Sequence, residues 1–145
     1  MRENISQCEE WFWKAFRGGM YHAGNNLNQY YRKGDEDIIL PQPQKAEGIF
    51  RIGAERGYPT HQYTYAKELD KAGRKEEALE WHKKAAEGGE LDSWYYVGVA
   101  YEEGRGVPRD VSYAAKCYEK GLSSESIGCR NRLGALYMDG NGVPQ

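Results

Sequence analysis

Cysteine is scarce. The 145 residues hold three, Cys8, Cys117 and Cys129, an odd number with no CxxC spacing. That argues against a disulfide framework or a cysteine zinc site and suits reduced, partly buried thiols. No apolar run reaches the roughly 18 residues that a membrane span needs. The start, Met1-Arg-Glu-Asn-Ile-Ser-Gln-Cys-Glu-Glu, also lacks the apolar stretch of an export signal, so the chain reads as cytoplasmic with no membrane partner. Neither sign of charge dominates: 20 Lys plus Arg stand against 22 Asp plus Glu, for a net charge of -2. Without a large single-sign field, general DNA or RNA binding is not expected.

The arrangements that catalysis needs are missing as well. His22, His61 and His82 form no HExxH pair, and no Ser-x-x-Lys or Gly-x-Ser-x-Gly run supplies an activated serine. The Gly104-Arg-Gly106 run lacks the preceding strand and the third glycine that wrap amides around a phosphate. The chain therefore reads as a non-enzyme with no catalytic residues, no metal site and no cofactor. His82 follows Trp81 in a column also held by Phe12, Phe50 and Tyr118, which predicts a packed imidazole.

What is abundant is tyrosine and glycine, 12 and 18 residues respectively, and internal repetition accounts for both. The segment from Tyr96 to Pro108 overlays the segment from Arg132 to Pro144 at an offset of 36, matching both glycine pairs, the tyrosines Tyr101 and Tyr137, and both Val-Pro steps. An offset of 70 carries Trp11, Ala15, Gly18 and Gly19 onto Trp81, Ala85, Gly88 and Gly89. Such periods denote stacked supersecondary units. Within each unit the apolar spacing is helical, and glycine and proline mark the stops. Eight helices are predicted: the first of each pair (A) over 21–33, 60–72, 92–103 and 127–139, the second (B) over 6–17, 44–56, 75–87 and 110–122. Gly104 is placed to close its helix at positive φ, Pro108 to bar helix at Val107, and Asp110 to cap the next helix. Small residues at Asn28, Ala66, Gly98 and Gly134 let paired helices approach, while Tyr31, Leu69, Tyr101 and Tyr137 fill the groove between them.

Ala85-Ala86-Glu87-Gly88-Gly89, followed by Val97-Gly98, Tyr101 and Gly104-Arg105-Gly106-Val107-Pro108-Arg109-Asp110, resembles the Sel1-like repeat family of the tetratricopeptide-like superfamily. The resemblance covers nearly the whole chain. It implies an all-α fold, a right-handed α/α solenoid of antiparallel helix pairs, in one domain over 1–145. The units are a half repeat over 1–19, full units over 20–57, 58–89 and 90–125, and a half repeat over 126–145. Two units depart from the pattern: one has the short turn Lys71-Ala72-Gly73-Arg74, and the one before it has Ile38-Ile39-Leu40-Pro41-Gln42-Pro43 in place of Gly-Val-Pro. The register starts on a B helix and stops at Gln145 before the next B helix, so the last A helix is expected to lack a partner. This leaves either a fragment or an apolar face for another molecule, self-association included.

The resemblance implies a protein-interaction role, an adaptor or scaffold of bacterial type that holds a protein or peptide on the concave face lined by the A helices. The register then nominates Asn25, Gln29, Arg32, Tyr63, Lys67, Tyr95, Glu102 and Asn131 as partner-binding residues, running from amide-rich and basic at one end to acidic near Glu102. Amides can satisfy peptide backbone groups, and tyrosines give contact area at little rotamer cost. Two alternatives also follow from the family: an immunity protein that neutralises a secreted toxin, and a β-lactam-binding or hydrolysing protein. The second goes with a regular cysteine pair in each repeat, which this chain does not have.

Overall fold

The computed structural model describes residues 2–33, 43–123 and 126–140. Eight helices lie along them: α1 (Arg2–Arg17), α2 (Tyr21–Lys33), α3 (Pro43–Glu55), α4 (Pro59–Lys71), α5 (Lys75–Glu87), α6 (Ser93–Glu103), α7 (Val111–Gly121) and α8 (Ile127–Asp139). There is no strand among the described residues. Apart from α1, which starts at Arg2 instead of residue 6, each helix lies within a residue or so of its sequence-based range. The even-numbered helices are the A set and the odd-numbered ones the B set.

Local chemistry explains these limits. Pro59 is the first residue of α4, where its missing N–H costs nothing. α5 carries Glu76 and Glu77 in its first turn and Lys84 in its last, the arrangement that the helix dipole favours. α6 ends on Gly104 at φ 69°, a left-handed conformation that other residues reach only with strain. α7 is opened by Asp110, whose carboxylate accepts a 3.0 Å hydrogen bond from the Tyr113 amide.

Each helix packs on the next along the chain, and α6 also touches α8, so the core is a string and not a single centre. At one end Phe16, Leu27, Tyr31 and Ile49 are fully or almost fully buried; in the middle Leu79, Trp94, Val97 and Cys117 join; towards the other end lie Tyr118, Cys129, Leu133 and Leu136. Burial of each large side chain contributes about 1.5–3 kcal/mol.

The column of small residues works as expected at Gly98, where an added Cβ would lie 2.4 Å from the Tyr118 ring. It works differently at Gly134, where a Cβ would meet nothing within 4 Å. Tyr137, whose counterparts Tyr31 and Leu69 are buried, is 42% exposed for the same reason: α8 has a neighbour on one side only among the described residues. The spacing of Glu80 and Lys84 suggests an ion pair, but Glu80 pairs instead with Lys83 at 3.3 Å, and Lys84 lies over the Trp81 ring at 4.2 Å. The short turn after α4 is present, with Gly73 at φ 81°. The Ile38 to Gln42 segment lies outside the described residues. Cys117 and Cys129 are both buried and free, and the Cys8 side chain is not described.

Candidate functional site

Two cavities open between the A helices α4, α6 and α8, and they share Tyr95 and Tyr96 of α6. The first, of about 310 Å³, is walled by Asp70 of α4, Lys75 and His82 of α5, Glu103 of α6, Arg105, and Arg132 of α8. The second, of about 590 Å³, is walled by Tyr63 of α4, Glu90 and Asp92 of the α5–α6 turn, Tyr95 and Tyr96, and Ser126 and Gly128 at the start of α8.

Charges in the first cavity compensate one another. Lys75 lies 3.4 Å from Asp70; Arg132 lies 3.3 Å from Glu102 and 3.6 Å from Glu103, which also pairs with Arg105 at 2.5 Å. His82, 2% exposed, stacks on Tyr96 with ring centroids 4.6 Å apart and planes 3° apart. Burial pushes its pKa down to about 4, although the Asp70 carboxylate, 3.2 Å from Nε2, works in the other direction. The neutral ring donates through Nε2 to Asp70, and its buried Nδ1 has no hydrogen-bond partner among the described residues. With no hydroxyl or thiol on Nδ1, the Asp70–His82 pair activates no nucleophile. It is a packing element, as the aromatic column at this position implies.

The second cavity is aromatic and acidic. The Tyr63 and Tyr96 rings meet edge-on at 5.7 Å, and Tyr95 meets Tyr96 at 5.3 Å. Tyr95 can reach the start of α8 because residue 128 is glycine: a Cβ there would lie 2.7 Å from its ring. Burial, reinforced by the neighbouring Tyr96 hydroxyl and then by the charges of Asp92 and Glu90, raises the Tyr63 phenol well above its ordinary pKa. Such a wall can hold a side chain by contact and hydrogen bonding.

Of the residues nominated from sequence, Tyr63 and Tyr95 line these cavities, and Lys67 sits beside them with Nζ 5.2 Å from the Tyr63 ring centroid. Glu102 is occupied internally: it accepts a 2.5 Å hydrogen bond from the Tyr118 hydroxyl and faces Arg132, so the groove does not turn acidic there. Asn25 is half-buried further along, 3.1 Å from His61 Nε2. Gln29 and Asn131 are exposed, and neither lines the two cavities. The Arg32 side chain lies outside the described residues. Sequence reasoning missed Tyr96, Glu90, Asp92 and Gly128. The doublet of tyrosines at 95 and 96 was a usable signal, and Asp92 fell within the sequence-based helix over 92–103 but at a position the groove register does not count; Glu90 carried none, because helical periodicity does not extend to the turn.

The Sel1 repeat family model matches residues 17–58, 73–90, 93–124 and 129–145. The chain belongs to the Sel1 repeat family, within the tetratricopeptide-like superfamily. Members are generally protein-interaction modules. A Sel1 repeat protein from Oxalobacter formigenes superposes with a TM-score of 0.79 at 26% identity, over 94% of this chain and 57% of that one. A protective antigen of uropathogenic Escherichia coli gives 0.77 at 30% identity, over 92% of this chain and 29% of the other. Among curated proteins, the rat DAP3-binding cell death enhancer 1 is 28% identical over 67% of this chain. The chitin synthase regulator SKT5 of Saccharomyces cerevisiae is 37% identical over 39% of it. The chain spans 19% of the rat protein and 8% of the yeast one. These relatives come from eukaryotes as well as bacteria, so the likeness does not fix a bacterial origin. No helix of the described residues is long and apolar enough to cross a membrane, and no cluster of metal-ligating side chains occurs among them.

Proposed function

We propose that the chain is a non-catalytic adaptor or scaffold module that holds a protein partner against the face formed by its A helices. The observation that supports this most is the run of Tyr63, Tyr95 and Tyr96 along α4 and α6, three partly exposed rings that together wall a cavity open between α4, α6 and α8. Tyrosines in such a setting supply large contact area with few rotors to freeze. The family's general role and the regulator-like names of the relatives point in the same direction.

The test is affinity capture from native lysate, with bound proteins identified by mass spectrometry, followed by the double substitution Tyr63→Ala with Tyr95→Ala. Partner binding should weaken at least tenfold while the helical circular dichroism is kept, since two aromatic anchors are each worth about 1–2 kcal/mol at an interface. Unchanged affinity would remove the groove from the account. Toxin neutralisation would use the same surface and is read directly by co-expressing the chain with the candidate toxin. A second contact, self-association through α8, is favoured by the exposure of Ile127 at 67% and Met138 at 83%. Light scattering of wild type against Ile127→Asp with Met138→Asp would show it as a loss of dimer.

A further inference from the structure

The two cavities share walls but differ in charge. In the first, each carboxylate has a cation within 4.0 Å: Asp70 has Lys75, and Glu103 has Arg105 and Arg132. In the second, Glu90 and Asp92 have no ion-pair partner among the described residues; the Glu90 carboxylate accepts a 3.2 Å hydrogen bond from the Thr60 hydroxyl. Both carboxylates lie close enough to Tyr63 for their charge to raise its pKa. No cationic side chain lines this cavity among the described residues. Its remaining walls are the rings of Tyr63, Tyr95 and Tyr96, whose π faces attract cations. The chain already shows that preference at the edge of this cavity, where the Lys67 ammonium stands over the Tyr63 ring.

We infer that the cavity between α4, α6 and the start of α8 receives a basic side chain, arginine or lysine, of the protein partner, with the cation between the tyrosine rings and the carboxylates of Glu90 and Asp92. The inference rests on the interaction reading above and names the partner's chemistry at one subsite. Two carboxylates without an ion-pair partner beside three rings form a complement for a cation, and an anionic group there would meet the repulsion of both. Gly128 serves as a positioning residue, because any larger residue would push the Tyr95 ring out of the wall.

The experiment uses the full chain, labelled with nitrogen-15, and three capped seven-residue peptides of alanine and serine with a central arginine, citrulline or glutamate. Citrulline keeps the shape of arginine and removes its charge. The arginine peptide should shift the amides of Gly89, Ser126 and Gly128 and bind at least about fivefold tighter than the citrulline peptide, in keeping with a desolvated cation–π contact. The glutamate peptide should leave those amides in place. Glu90→Gln with Asp92→Asn, both at positions that can lose charge without disturbing the core, should bring the arginine peptide to the affinity of its citrulline counterpart. Equal binding of arginine and citrulline, arginine binding that survives the double substitution, or no shift at about 10 mM peptide would each overturn the cation site. None of these results touches the interaction reading, which is judged by capture of the natural partner on Tyr63 and Tyr95.

Discussion

Gly98 and Gly134 occupy the same column of the repeat, yet replacing them with alanine should change stability in opposite directions. At Gly98 the new Cβ would lie 2.4, 2.7 and 2.9 Å from three atoms of the Tyr118 ring. Tyr118 is fully buried and its hydroxyl donates to Glu102, so the ring has no free direction in which to move. Overpacking of this kind costs about 1–3 kcal/mol, and alanine's better helix propensity returns about 1 kcal/mol. Gly98→Ala should therefore lose up to about 2 kcal/mol, which in a chain of this size lowers Tm by several degrees. Gly134→Ala meets nothing within 4 Å and should gain about 0.5–1 kcal/mol from propensity alone. Gly98→Leu must expel Tyr118, forfeiting about 1.5–3 kcal/mol of burial and a similar amount for its charge-assisted hydrogen bond. Against a total stability of about 5–15 kcal/mol that loss is a large fraction, and the central unit should be the first to melt as urea rises. Urea titration followed by far-UV circular dichroism measures all three. Alanine shifts of the same sign at both positions would refute the packing register.

Acid should destabilise the chain through His82. The folded imidazole stays neutral down to about pH 4, whereas the unfolded one takes a proton near 6.5, so the unfolded state binds more protons between those values. The stabilising contribution is complete above pH 6.5 and is lost as pH falls towards 4, at a slope of up to about 1.4 kcal/mol per pH unit. His82→Phe should flatten that slope in urea melts taken across the window, and an unchanged slope would contradict it. Burial pushes the Cys117 thiol up to about 11 and raises that of Cys129 as well. In a Cys8→Ser background, Ellman's reagent should find no reactive thiol until urea unfolds the chain; a fast native reaction would show that one of them is accessible. Asp110→Ala should cost about 1 kcal/mol by removing the cap on α7, and Asp110→Asn much less, both read as shifts in urea midpoint.

The helices were legible because glycine and proline punctuate a strict period: Gly104, Pro108 and Asp110 each sit where local geometry demands them. Tyr63 and Tyr95 were legible from the register alone. Tyr96 was signalled only by its place in that tyrosine doublet, because it lies about 100° further round the helix, outside the register positions counted as facing the groove; its ring stacks on His82 and lines both cavities. Glu102 looked like an acidic end to the groove, but its charge is met by Arg132, thirty residues away on the next A helix. Pairings over that distance depend on how units stack, and the repeat period gives only the order of stacking. Gly134 shows the same limit, since a column residue identical to Gly98 has nothing within 4 Å of its Cβ position among the described residues.

The central claim is that partners bind on the A-helix face, and site-specific photo-crosslinking tests it most directly. A benzophenone amino acid is placed one position at a time at Lys67, Val99 and Asn131 on A helices, and at Glu80 and Lys116 on the exposed sides of B helices. The account predicts partner adducts from the first three positions and none from the last two. Adducts at Glu80 and Lys116 with none at Lys67 and Val99 would contradict it.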